Sequence, residues 1–228
     1  MPRLSRKKMI WFIRANRAVI ASAIILLSTD TISGQGDSPF REFMKLSRPE
    51  KVWAILHPFS AREALTISEE VLVTTDSLIE AGIIRDRQGG TADAFKHAYW
   101  IALLTREIGA RNAWWLGKAH ERGNYLEYKK GLRKGKQDLP DRQSSEMDCW
   151  NNRIGLNTGI IYAVRSKKEI RRILLVKINM GQMRIIRKNR NMDYLNCSGE
   201  IIPGDSLKGK WNTAKCVVPS DQTNGLKP

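Results

Sequence analysis

The chain has 228 residues, of which 42% are hydrophobic and 27% charged, with three cysteines and a formal net charge of +16. This composition excludes a wholly disordered chain, a collagen and a disulfide-dense mini-protein, and the length suits one domain of moderate size with a leader or tail. The positive charge favours a polyanionic partner, which includes nucleic acid, an anionic membrane surface and a phosphate-bearing substrate.

The N-terminal residues predict export. Residues 1–17 contain six basic side chains and no acidic one, and an apolar run follows at 18–27. About ten apolar residues are too few to span a bilayer, but they match the core of a secretory signal. We interpret 1–34 as a signal peptide or, alternatively, an N-terminal anchor, so that the rest of the chain would be periplasmic, envelope-associated or secreted.

Six helices are predicted in the middle of the chain. Pro49 lies in the first turn of a helix that starts at residue 48 and stops before Pro58, and Ser60-x-x-Glu63 is a capping box that starts a second helix through about residue 81. Further helices are predicted at 92–108, 112–128, 144–164 and 167–190, the last with a possible break near Gly181. No alternation typical of a strand appears before residue 193. The predicted fold is all-α, with a compact helical domain at 40–192 and an irregular tail at 193–228.

Two of these helices carry polar residues at a spacing that places them on one face. Asp93 and His97 are four residues apart on the third helix, where an aspartate can hold one imidazole nitrogen and raise its basicity. The fourth helix carries His120-Glu121-x-x-Asn124, in which His120 and Asn124 share a face and Glu121 reaches the same cavity only at its edge.

The fifth helix carries Asp148 and Asn152, again four residues apart, with Asn151 beside them. Gly155 and Gly159 follow, and a glycine inside a helix costs about 1 kcal/mol, which indicates close approach of another helix or of a ligand. Acid, imidazole and carboxamide groups buried together are costly unless they serve one another or a ligand. We therefore predict one shared functional site, with a purely structural polar network as the alternative.

Three blocks carry a family resemblance: Gly90-x-x-Asp93-Ala-Phe-Lys96-His97, Ala119-His120-Glu121-x-x-Asn124, and Met147-Asp148-x-x-Asn151-Asn152-x-x-Gly155-x-x-x-Gly159. They resemble a widespread family of uncharacterised bacterial domains, many of them exported or at toxin C-termini. Their order is also similar to the Lipocone superfamily, which includes VanZ and Wnt-like proteins. This resemblance covers about residues 48–165 and implies a helical domain that acts on lipid head groups or lipid-linked phosphates. The membrane-spanning helices of some relatives have no counterpart of that length here.

The resulting hypothesis is an attack on a phosphoester or phosphoanhydride of a lipid-linked substrate. His97, oriented by Asp93, would serve as base or nucleophile, and His120, oriented by Glu121, would protonate the leaving oxygen or hold the phosphate. Asp148 and Asn152 would complete the pocket by hydrogen bonding or by binding a divalent cation, and the spacings do not settle whether a metal is bound. The candidate substrate-binding residues are Lys96, Asn124, Asn151, Lys129 and Lys130.

The remaining positive charge lies mainly in two segments, a predicted basic loop at 129–136 and the sixth helix. Ile170, Ile173, Leu174 and Ile178 recur at helical spacing in that helix, which is typical of a membrane-binding amphipathic helix or of a helix that packs on the core with a solvated basic face. The predicted partner is an anionic lipid or lipid-linked phosphate reached by peripheral membrane contact, with nucleic acid ranked lower. A non-enzymatic envelope-binding module and a secreted nuclease-type toxin are the alternative functions.

The cysteines divide into a pair and a single residue. Cys197 and Cys216 bracket a segment rich in Gly, Pro and Asn and could clip a loop or small hairpin in an exported chain. Whether they pair is left open by the sequence. Cys149 lies beside Trp150 on a predicted buried helix, where we interpret it as core filler rather than as a nucleophile.

Overall fold

A computed structural model describes residues 39–136 and 139–222, and the predicted leader at 1–34 lies outside these residues. Within them the chain forms eight helices and two short strands, which confirms the all-α class. The elements are α1 Pro39–Lys45, α2 Arg48–Leu56, α3 Pro58–Glu80, α4 Thr91–Ile108, α5 Ala110–Arg133, α6 Arg142–Ile161, α7 Lys167–Asn179, β1 Arg184–Ile186, α8 Gly204–Leu207 and β2 Val217–Pro219.

Helix α4 is the central element of the domain. Its sequence is apolar on nearly every side, which is typical of a buried helix, and Phe95, Ile101, Leu103 and Leu104 are each at most 1% exposed. Helices α3, α5, α6 and α7 all contact it. A polar residue on α4 therefore lies inside the domain, where it needs partners.

Two glycines allow α6 to pack directly on the backbone of α4. A Cβ at Gly155 would lie 2.9 Å from the Cα of Ala98, and a Cβ at Gly159 would lie 2.6 Å from the carbonyl oxygen of Ala102. Real Cβ atoms do not approach other atoms so closely, so only glycine fits at either position. Of the two explanations that the sequence offered for these glycines, the structure shows close approach of another helix.

The predicted helix at 167–190 does not extend to residue 190, so that bound is wrong, whereas the break near Gly181 is confirmed. Helix α7 ends at Asn179, because Gly181 adopts a left-handed conformation (φ 69°) that terminates the helix. The chain then enters strand β1, which pairs antiparallel with β2 and places Ile185 opposite Val218. The expectation of no strand before residue 193 is also wrong. A strand of three residues is too short to show the alternation by which a sequence predicts a strand.

The apolar face of α7 packs on the core. Ile170, Leu174 and Ile178 are at most 4% exposed, and the helix contacts α4. Of the two interpretations of this helix, the structure supports a core-packed helix with a solvated basic face. The predicted basic loop at 129–136 is likewise largely helical, because α5 continues through Arg133.

The C-terminal segment is tied to the helical domain. Cys197 and Cys216 form a disulfide, and β2 follows Cys216 directly along the chain, where it pairs with β1. The pairing thus joins residues on either side of the predicted boundary at 192. None of the described helices combines the length and apolar character needed to cross a bilayer.

Candidate active site

The three polar blocks converge at one place in the structure. His97 Nε2 lies 3.6 Å from Oδ1 of Asp93 and 3.4 Å from Oδ1 of Asp148, so α4 and α6 contribute to one cluster. The rings of His97 and His120 are 5.8 Å apart between centroids, which brings α5 to the same cluster. Four of the residues singled out by their spacing therefore lie together.

His97 is deeply buried in this cluster. It is 5% exposed, and its Nδ1 has no hydrogen-bond partner among the described residues. Burial lowers the pKa of His97 to about 3, although the Asp93 carboxylate acts in the opposite direction. An imidazole of such low basicity is a weak proton acceptor at neutral pH. Burial thus favours the neutral imidazole, which can act as a ligand or hydrogen-bonding group, and the role of His97 as base or nucleophile stays a prediction.

Asp93 is held by two hydrogen bonds besides its proximity to His97. The backbone N–H of Gly89 donates to Oδ2 at 2.8 Å, and Lys96 Nζ donates to Oδ1 at 2.7 Å. Burial alone would raise the pKa of Asp93, but His97, Lys96 and the Gly89 amide together hold it below its usual range. Asp93 is therefore an ionised carboxylate whose orientation is fixed by α4 and by the loop before it.

The partner of His120 is Glu50, a residue that the sequence analysis missed. His120 Nδ1 lies 2.8 Å from Oε1 of Glu50, on helix α2. Burial alone would lower the pKa of His120, but the hydrogen bond to Glu50 and the charges of Glu121 and Glu50 raise it above its usual value. The expected orienting contact from Glu121 is thus made by Glu50, and Glu121 acts on His120 through its charge.

Glu50 reaches His120 because its own helix terminus fixes it. Its Oε2 accepts the N–H of Ser47 at 2.8 Å, which completes a capping box at the start of α2. Burial would raise the pKa of Glu50, but His120 and Ser47 lower it to about 2. Gly123, one turn after His120, lets this terminus approach, since a Cβ there would lie 2.7 Å from Ser47 Cβ. The spacing Ser47-x-x-Glu50 is a capping-box signal that could have located this helix terminus, but it does not indicate His120 as a partner.

Two further carboxylates lie in the same region. Glu121 is 7% exposed and accepts a hydrogen bond from Ser145 Oγ at 2.8 Å, with Asn124 at 3.4 Å. Asp148 is also 7% exposed, and its Oδ1 has no hydrogen-bond partner among the described residues. Burial raises the pKa of Glu121 and raises that of Asp148 further, because Asp93 and Glu121 add negative charge beside it.

A cavity of about 380 Å³ opens onto this cluster between α2, α3, α4 and α5. Lys96, His97, His120 and Glu50 line its polar end, and the Trp100 indole packs against the His120 ring there. Apart from Glu42 and Ser68, the rest of the wall is apolar, and its largest residues include Phe43, Leu46, Trp53, Leu65, Val71 and Leu72. The cavity therefore combines a long apolar wall with one polar end.

The model of one protein family, described as "Domain of unknown function (DUF6973)", matches residues 51–182, which is more than half of the chain. The chain belongs to the DUF6973 family. No curated protein and no solved structure matches it significantly. The segment matched by the DUF6973 model contains Asp93, His97, His120, Glu121 and Asp148, and it begins one residue after Glu50.

Within this DUF6973 chain, three candidate substrate-binding residues lie away from the cavity wall. Both ends of the Asn151 amide hydrogen-bond to the backbone of Arg184, at 2.9 Å each, so this residue holds strand β1 against α6. Lys129 and Lys130 are exposed near the C-terminal end of α5. Nine residues of helix separate Lys129 from His120, which corresponds to about 14 Å along the axis. These positions do not fit the substrate contacts expected from the sequence.

The other candidates lie at or behind the polar end of the cavity. Lys96 is on the wall, Asn152 interacts with the His97 imidazole, and Asn124 contacts Glu121. Cys149 is partly buried, and burial raises the pKa of its thiol to about 11. A thiol that is so weakly acidic is a poor nucleophile at neutral pH, but Cys149 does not belong to the buried core cluster of the described residues.

Proposed function

We propose that this protein is an exported hydrolase or transferase that acts on a phosphoester or phosphoanhydride of a lipid or lipid-linked substrate. One observation carries the proposal: the apolar cavity ends on Lys96, His97 and His120. A ligand that complements such a cavity has a hydrocarbon chain and an anionic group at its end. The volume of about 380 Å³ lies within the range of small-molecule sites, about 300–1,000 Å³.

The polar end of the cavity suits a phosphate. Lys96 supplies one positive charge, and the hydrogen bond to Glu50 raises the pKa of His120, which favours its protonated form. With Nδ1 of His120 committed to Glu50, Nε2 is the ring nitrogen that can donate to a phosphate or to its leaving oxygen. Cations and hydrogen-bond donors fixed around a phosphoryl group stabilise the charge that develops during its transfer.

The proposed reaction is a displacement at phosphorus. The oxygen of water, or of an acceptor hydroxyl, forms a bond to phosphorus as the bond from phosphorus to the leaving oxygen breaks. The leaving oxygen takes the proton from His120, and the attacking group gives its proton to the unpartnered Oε1 of Glu121. The order of the polar blocks, which is similar to that of the Lipocone superfamily, supports the same substrate class.

Glu50 is proposed as a positioning residue for His120. Replacing it by Gln removes the carboxylate that accepts from His120 Nδ1 while keeping the size of the side chain. We expect kcat to fall about tenfold or more with a small change in KM, because His120 loses its fixed orientation and its charge partner. Steady-state kinetics of Glu50→Gln and Glu42→Gln check this, since Glu42 lies on the same cavity wall and pairs with Lys45 instead. Equal losses of kcat in both variants would contradict the assignment.

Peripheral membrane contact is proposed for the helices that form the cavity wall. Helices α1 to α3 expose apolar side chains that include Phe40, Met44, Val52, Leu56, Phe59 and Val73. We expect Phe59→Asp to weaken binding to vesicles containing anionic phospholipid about tenfold, since inserting a Phe side chain into an apolar phase is worth about 1.5–3 kcal/mol. The control is Val164→Asp, which changes an exposed valine outside these helices. Co-sedimentation measures the vesicle binding of both variants. An equal loss of vesicle binding in the two would contradict the proposed contact surface.

The function itself is tested by incubating the purified protein separately with phospholipid vesicles, a polyprenyl diphosphate and nucleic acid. We expect release of a phosphate-containing product from one of the lipids. Cleavage of nucleic acid alone would instead support the nuclease alternative. Lipid binding without any product would support a binding module and contradict catalysis.

A further inference from the structure

Three side chains from α4 and α6 converge with the spacing of metal ligands. Oδ1 of Asp93 and Oδ1 of Asp148 lie 3.6 Å and 3.4 Å from Nε2 of His97, and ligand atoms of the three residues all lie within 4.8 Å of one another. Nitrogen and oxygen ligands bind Zn²⁺ at about 2.0–2.2 Å, and a tetrahedral arrangement then separates neighbouring ligands by about 3.3–3.6 Å. Two of the observed separations fall in this range without any rearrangement.

Asp148 supplies an independent indication of a ligand. Its Oδ1, the oxygen nearest to His97 Nε2, is buried and has no hydrogen-bond partner among the described residues, and the residue is 7% exposed. A buried carboxylate oxygen without a donor or cation is costly. Oε1 of Glu121 and Oδ1 of Asn152 are also buried and unpartnered within the described part of the chain. Three buried oxygen atoms around His97 and His120 thus lack a donor or cation among the described residues.

The charges in the cluster also indicate a bound cation. Lys96 is hydrogen-bonded to Asp93, and His120 to Glu50. Glu121 receives hydrogen bonds only from neutral groups, and no cation is hydrogen-bonded to Asp148 in the described structure. The buried carboxylates of Glu121 and Asp148 therefore lack a directly bonded cation. One divalent ion carries two positive charges, which equals the negative charge of both when they are ionised.

We infer that Asp93, His97 and Asp148 bind one divalent cation with mixed nitrogen and oxygen coordination, of the kind that Zn²⁺ accepts. Three protein ligands leave a coordination position open, as in catalytic rather than structural zinc sites. The Gly89 amide holds Oδ2 of Asp93, and Oδ1 lies 3.6 Å from His97 Nε2 while it also accepts a hydrogen bond from Lys96. The inference concerns binding of the ion and does not depend on the proposed lipid reaction.

The test is a titration of metal-free protein with Zn²⁺, followed by isothermal calorimetry and by elemental analysis after removal of unbound metal. We expect one equivalent to bind, and Asp148→Asn to weaken binding at least tenfold, because it removes a charged ligand without changing the shape of the side chain. The same titration with Mg²⁺ checks the ligand type, and we expect weaker binding because one ligand is an imidazole.

Glu146→Gln is the matched control, because Glu146 lies on the same helix but is exposed and paired with Arg142. It should bind Zn²⁺ like the unmodified protein. Circular dichroism establishes that each variant is folded. If the unmodified protein binds no Zn²⁺, or if Asp148→Asn binds it as tightly, the inference is overturned. If the unmodified protein binds Zn²⁺ but turns over no lipid substrate, the proposed function is contradicted and the metal site is not.

Discussion

Replacing His120 by Asn is expected to lower kcat/KM for a lipid phosphoester by about 10²–10⁴-fold, the usual contribution of one general acid. The Asn side chain places an amide nitrogen near the position of His120 Nδ1, so it can still donate to Glu50. It has no group that titrates near neutral pH and therefore cannot protonate the leaving oxygen. The expected variant is thus folded and inactive.

His57 provides the matched control for this prediction. Its Nδ1 donates a hydrogen bond to the carbonyl oxygen of Trp53, its ring stacks on the Trp53 ring, and it is not among the residues that line the cavity. His57→Asn should retain turnover within a few-fold of the unmodified protein. If His120→Asn keeps activity within tenfold, His120 is not the acid, and the assignment of the polar end of the cavity fails.

Replacing Gly155 by Ala is expected to have the largest effect on stability. In an open helix this change stabilises by about 1 kcal/mol. Here the new methyl would overlap the backbone of Ala98 on α4. This backbone cannot give way unless the whole of α4 shifts. We expect the free energy of unfolding to fall by about 2 kcal/mol or more. Because α4 carries His97 and α6 carries Asp148, the shift should also impair the site.

Chemical denaturation of Gly155→Ala and Gly204→Ala measures this effect. A Cβ at Gly204, the first residue of α8, meets no atom within 4 Å, so its replacement should change stability by less than about 0.5 kcal/mol. Stabilisation by Gly155→Ala would show that α4 and α6 do not pack backbone to backbone.

The sequence could predict the parts of the site that lie within single helices. Asp93 with His97 and Asp148 with Asn152 are four residues apart, so the helical period alone places each pair on one face. Contact between the pairs could be inferred only from the cost of burying polar groups on apolar helices. Gly155 and Gly159 indicated that another helix or a ligand approaches α6 closely, but not which helix it is.

Glu50 shows why the rest could not be predicted. It lies 70 residues before His120, and its contact depends on how α2 approaches α5 at Gly123, which no local pattern encodes. Local reasoning instead selected Glu121, the immediate neighbour of His120. Asn151 was misplaced for a similar reason, since its partner is the backbone of a three-residue strand that has no recognisable pattern.

The central claim is that the apolar cavity binds the chain of a lipid whose phosphate lies against Lys96 and His120. The most direct measurement compares kcat/KM for a lipid phosphoester with that for a water-soluble substrate that has the same phosphoester but no hydrocarbon chain. We predict that removing the chain lowers kcat/KM at least 100-fold, because the apolar wall from Phe43 to Leu72 then binds nothing. Equal values for the two substrates would contradict the account.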